Sequence, residues 1–308
     1  MESPRTRRTG KAGKPKSYDL FSLFTFFLPG PWGSLLLVAG VLILQVLSSI
    51  VYAIPYSMGL MSMDTLSLLS YATTFALLLI PCATISREKA FRAQAGVALS
   101  SRHFGKSGML PVLLLGAVGM VGASMALEPV SSLIERLIEP SDLFRSSMEL
   151  LSKGNVWIIS LQVCILAPLF EEILCRGIIL RGMLSRIRPG WAIVLSALYF
   201  ALMHANIWQG FGAFVLGALL GYAYYKTGSL ALTMLMHAAN NTFGLALMRY
   251  TADTPDLNWT DILPVWGYAG LVAVGLLLTA LLVRVLSRIP KEHPHGNLDP
   301  VVIEDLMA

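Results

Sequence analysis

Two adjacent carboxylates, Glu171 and Glu172, and a guanidinium, Arg176, lie in one long apolar stretch that starts near Val156. A charge at membrane depth costs roughly 2.5 to 3.5 kcal/mol on insertion scales, so three within six residues need a compensating reason. On a helix Glu172 and Arg176, four apart, share a face and can pair. Glu171 points about 100° away, is left without that partner, and becomes the candidate reactive group. Pro168, just before it, cannot donate an amide hydrogen. That leaves the Cys164 carbonyl without its usual donor and predicts a kink that opens space beside the carboxylates.

Two further blocks carry polar groups at helical spacing: Phe200 with His204, and His237 with Asn241. Imidazoles move protons or orient water, and imidazole or amide donors stabilise developing negative charge. If a turn forms at Arg188, Pro189 and Gly190, Glu172 lies about 17 residues before it and His204 about 15 after it. At about 1.5 Å per residue the two reach the same level. His237, about nine residues beyond a turn at Lys226 to Gly228, agrees less well in depth. A single intramembrane histidine is more often an interhelical hydrogen-bonding contact than a catalyst. The full set of Glu171, Glu172, Arg176, His204, His237 and Asn241 favours a functional site.

The elements that must position these groups are spanning helices. The 308 residues are 55% hydrophobic and only 13% charged, with a mean hydropathy of +0.67. That is more apolar than a soluble domain can bury. A spanning helix needs about 20 apolar residues. Segments of that kind lie near Trp32 to Ala53, Leu66 to Ile85, Gly108 to Leu127, Val156 to Cys175, Gly190 to Trp208, Gly210 to Tyr225, Ser229 to Met248 and Leu263 to Val283. None alternates with period two, which argues against a barrel. The expected fold is an all-α, polytopic transmembrane helical bundle of about eight spans.

Lys and Arg gather in alternate connections: Arg5 to Lys16, Arg87 to Lys106, Arg181 to Arg188, Lys226, and Arg284 to Lys291. By the positive-inside rule these connections and both termini are cytoplasmic. The net charge of +5 then reflects topology and anionic headgroups, and no basic-aromatic pattern points to nucleic acid. The organisation expected is a single integral membrane domain over 1–308. Residues 1–18 form a basic tail, 150–250 the catalytic core and 289–308 a cytoplasmic C-terminal tail. Val130, Leu133, Ile134 and Leu137 recur at helical spacing among acids and predict a helix along the outer interface. Gly217 and Gly221 read as a close-packing pair. Cys82, Cys164 and Cys175 have no Cys-x-x-Cys spacing and read as packing residues.

The blocks Glu171-Glu172-x-x-x-Arg176, Phe200-x-x-x-His204 and His237-x-x-x-Asn241 together resemble the CPBP (Abi) family of intramembrane proteases, which includes the type II CAAX prenyl endopeptidases. The likeness covers about a third of the chain, with the blocks in the family's order; Cys175 stands where the family commonly has Phe. The resemblance implies an intramembrane endopeptidase in which Glu171 is general base to a water held with help from His204. His237 and Asn241 would stabilise the oxyanion, and Glu172, Arg176 and Phe200 would support the site. It also implies a membrane-bound or lipidated peptide substrate, contact with membrane lipid, and a bacterial or archaeal cell membrane as location. The family is often described as metalloproteases, and Glu171, His204 and His237 could hold zinc or another divalent metal with a position open for water. The His-Glu-x-x-His pattern is absent and each residue has a role without a metal, which favours the metal-free route. A transporter or proton relay, and a non-catalytic immunity or scaffold protein, are the alternative readings.

Overall fold

The computed structural model describes residues 29–85, 104–253, 259 and 263–290. The tail 1–18, the basic residues Arg87, Lys89, Arg92 and Arg102, and residues 291–308 lie outside the described residues. Those described form nine helices and no strand: α1 Pro31–Ser57, α2 Met63–Ile85, α3 Met109–Leu137, α4 Asp142–Lys153, α5 Val156–Leu184, α6 Pro189–Met203, α7 Ile207–Thr227, α8 Leu230–Tyr250 and α9 Val265–Ser287. The boundaries follow local chemistry. Pro31 and Pro189 occupy first-turn positions, where a missing amide costs nothing. Side chains of Ser141, Asn155, Asn206 and Ser229 accept from first-turn amides of α4, α5, α7 and α8. Gly228 ends α7 in the left-handed conformation, φ 63°, which a glycine adopts without steric cost.

Six helices are long and apolar enough to cross a membrane: α1, α2, α3, α5, α7 and α9. The other two expected spans are helices of different character. At 15 residues, α6 is about 22 Å long, short of a hydrocarbon core of about 30 Å. Helix α8 has the length, but His237, Asn240 and Asn241 dilute its apolar content. Large apolar side chains point outward along the long helices, among them Leu36, Ile50, Leu114 and Leu277, each more than half exposed. Lipid is the solvent that such a surface requires, so this is an integral membrane protein.

The Val130 to Leu137 stripe does not form a separate helix; it is the last part of the 29-residue α3. The amphipathic helix is α4, set apart because Pro140 and the Ser141 cap restart the chain there. The apolar interior has two main clusters. One joins α1, α2, α5 and α6 through Val41, Phe75, Leu174 and Ala192, and the other joins α3, α7, α8 and α9 through Val112, Leu220, Met236 and Leu282. Gly275 on α9 and Gly122 on α3 meet closely, where a Cβ on Gly275 would collide with the Gly122 carbonyl and one on Gly122 with Leu278. Glu171, Glu172 and Arg176 all stand on α5.

Candidate active site

Helix α5 is not uniform. Two π-helical segments, Leu161–Leu166 and Ile173–Leu180, flank the α-helical turn Ala167–Glu172 that carries both glutamates. A π segment bonds each amide to the carbonyl five residues back and rotates the side chains that follow. The Ala167 amide donates to Gln162 in this register. Next in the series would be Pro168 to Val163, and Pro168 has no hydrogen to give. The carbonyl left open is therefore Val163's, one residue earlier than an α-helical register predicts, and not that of Cys164. Asn241 fills the gap, its Nδ2 donating to the Val163 carbonyl at 2.9 Å.

Glu172 and Arg176 are wholly buried, and Arg176 Nη1 donates to Glu172 Oε1 at 2.7 Å. Arg176 Nη2 donates to the Gly217 carbonyl at 2.9 Å, and its guanidinium lies 4.7 Å from the Phe200 ring centre. Such stacking on an aromatic face favours the cation. The approach of α7 depends on Gly217, since a Cβ there would stand 3.0 Å from Phe200 and 3.5 Å from Arg176. Gly217 thus serves the close packing read from sequence and also offers its carbonyl to Arg176.

Glu172 serves a second partner. His237 Nδ1 lies 2.9 Å from the same Oε1, and a carboxylate paired with arginine only accepts, so the imidazole donates. This fixes the ring with Nε2 turned toward Glu171 Oε2, 3.8 Å away. That separation exceeds a hydrogen bond, so the two groups are close neighbours without a direct bond. The depth mismatch in the sequence register does not keep His237 from the glutamates. Phe200 braces both histidines, with edge-on ring contacts of 5.0 Å to His204 and 5.6 Å to His237.

His204 is not inside a helix, as the expected Gly190 to Trp208 span would have it; it caps the C-terminus of α6. Asn206 breaks the helix, because its side chain accepts from the Gln209 amide to begin α7 and donates to the His204 carbonyl at 2.8 Å. Between them Ala205 takes the left-handed conformation, φ 54°, at a steric cost that glycine would avoid. His204 Nδ1 donates to the Phe200 carbonyl at 3.0 Å, so in the neutral ring Nε2 is an acceptor.

Glu171 and His204 line one cavity of about 190 Å³, walled by Val41, Leu42, Gln45, Tyr71, Phe75 and Met203. Tyr71 donates to Glu171 Oε1 at 2.9 Å. Sequence reasoning missed Tyr71 and Gln45, which stand on α2 and α1 in segments with no motif and no charge near them. The hydrogen bonds of Asn241 run to Val163 and Asn240, not to a glutamate. Among the described residues no three His, Cys, Asp or Glu side chains group as a metal site does. Glu171, His204 and His237 are not grouped as a ligand set in this arrangement.

Residues 153–243 match the family described as Type II CAAX prenyl endopeptidase Rce1-like. The resemblance carried by the three motifs holds over that stretch, which contains every residue of those motifs. Comparison with curated proteins and with solved structures finds no match.

Proposed function

We propose that this protein is an intramembrane endopeptidase that hydrolyses a peptide bond in a membrane-associated, prenylated CAAX-type substrate through a water activated by Glu171. One observation carries the reading: a carboxylate and an imidazole face the same small, otherwise largely apolar cavity inside the bundle. The family match over the segment bearing these residues supports it.

Glu171 and His204 Nε2 both accept, so a water between them donates one hydrogen to each and turns a lone pair toward a bound carbonyl carbon. Proton transfer to Glu171 accompanies attack. The tetrahedral oxyanion is met by His237 Nε2, which can donate only when the ring carries both protons. Glu172 accepts the ring's other N–H, on Nδ1, at 2.9 Å. The second N–H of Asn241 joins it, the first being held by Val163. Glu171 then returns its proton to the amine as the C–N bond breaks. Arg176 pairs with Glu172 at 2.7 Å and does not line the cavity that Glu171 faces, which is why two adjacent glutamates can have different duties.

The test is cleavage of an internally quenched, farnesylated CAAX peptide by the purified chain in liposomes. Wild type is expected to cleave it, and Glu171→Gln to lose at least a hundredfold in rate while melting at the wild-type temperature. Full activity in that variant would refute the assignment of the base.

A further inference from the structure

The phenol that holds Glu171 lies a hundred residues away in sequence and outside the matched segment. Its ring has little freedom. Tyr71 sits 4.9 Å from the Phe75 ring and 6.5 Å from Phe170, and Phe75 and Phe170 stack at 5.5 Å with planes 15° apart. These rings join α2 to the residue just before Glu171, so the O–H is aimed by packing. The hairpin behind it is tied as well: Gln45 Nε2 on α1 donates to Ser70 Oγ at 3.0 Å, and Ser49 Oγ meets the same atom at 2.9 Å.

A free glutamate side chain turns about three torsions and can present either oxygen. With Oε1 bound to Tyr71, the oxygen nearest His237 Nε2 is Oε2. We infer that Tyr71 is a positioning residue for the proposed hydrolysis, fixing the Glu171 carboxylate so that Oε2 takes the proton of the attacking water. The α1–α2 hairpin then completes a site begun by α5, α6 and α8. In the step itself a water O–H bond breaks, its proton goes to Oε2, and the oxygen bonds to the carbonyl carbon. Tyr71 keeps its own proton throughout. A phenol that merely satisfied a buried carboxylate would contribute to folding alone.

This inference rests on the reading of Glu171 as base, and the two fail differently. Tyr71→Phe keeps the ring among Phe75 and Phe170 and removes only the donor. With the quenched farnesylated CAAX peptide, it is expected to lower kcat by about ten- to a hundredfold, the scale of a small misplacement of a reacting group. KM should stay within twofold and the melting temperature near wild type. Because Tyr71 acts through Glu171, the same change in a Glu171→Asp background, whose shorter side chain leaves the phenol's reach, should cost less than twofold. Wild-type kcat in Tyr71→Phe, or an equal loss in both backgrounds, overturns the positioning role and leaves Glu171 as base. An inert wild type, or a fully active Glu171→Gln, overturns the hydrolytic reading and this inference with it.

Discussion

Removing the charge of Arg176 is the sharpest perturbation of the site's frame. Both members of the pair are wholly buried, and Arg176 serves Glu172 at 2.7 Å, the Gly217 carbonyl at 2.9 Å and the Phe200 face at 4.7 Å. Arg176→Met fills similar volume and leaves Glu172 buried with only His237 as a hydrogen-bond donor. Breaking a buried pair from one side costs about 3 to 5 kcal/mol, mostly the penalty of the stranded charge. The Gly217 hydrogen bond and the ring contact are lost in the same event and do not add in full. A loss of about 4 kcal/mol, nearly a thousandfold in the folding equilibrium, is therefore expected. The reverse change, Glu172→Gln, keeps an acceptor for His237 and strands the cation, with a loss of similar size. The double variant Glu172→Gln/Arg176→Met strands no charge and should recover to within about 2 kcal/mol of wild type. SDS titration in mixed micelles, followed by circular dichroism, measures all four proteins. Loss below about 1 kcal/mol in Arg176→Met, or a double variant as unstable as the two single losses combined, would refute the stranded-charge account.

Three further expectations concern the flanking geometry and the metal content of the site. Asn241→Leu leaves the Val163 carbonyl open in the π segment and should cost about 1 to 3 kcal/mol in the same titration; no loss would mean that another donor reaches that carbonyl. Ala205→Gly relieves a left-handed alanine worth roughly 1 to 2 kcal/mol but frees more chain entropy when unfolded, so a net gain of up to about 1 kcal/mol is expected. Peptide cleavage by that variant should fall, since the turn that aims His204 is looser, and a destabilised Ala205→Gly would show that the turn carries no strain. Metal analysis of the purified protein is expected to find less than one equivalent of zinc, with cleavage insensitive to chelators. One equivalent, lost in His204→Ala, would replace the metal-free route with a metal-assisted one.

Amino-acid order alone determined what is local or statistical. Apolar runs of helical length require lipid, and four-residue spacing on a helix brings Glu172 to Arg176 and Phe200 to His204, because neighbours within one turn are set by backbone geometry. The same spacing picked out His237 and Asn241 and carried the family resemblance. Contacts between distant segments were decided by tilt, crossing distance and helix irregularity, none of which a periodic pattern encodes. Tyr71 meets Glu171 only because three aromatic rings lock α2 against α5. His237 reaches Glu172 although its depth in the sequence register agreed less well than that of His204. Asn241 closes the carbonyl of Val163 because a π turn moved the gap that Pro168 leaves by one residue. The sequence marked Glu171 as the carboxylate without a local partner; a phenol a hundred residues away decides which of its oxygens is held.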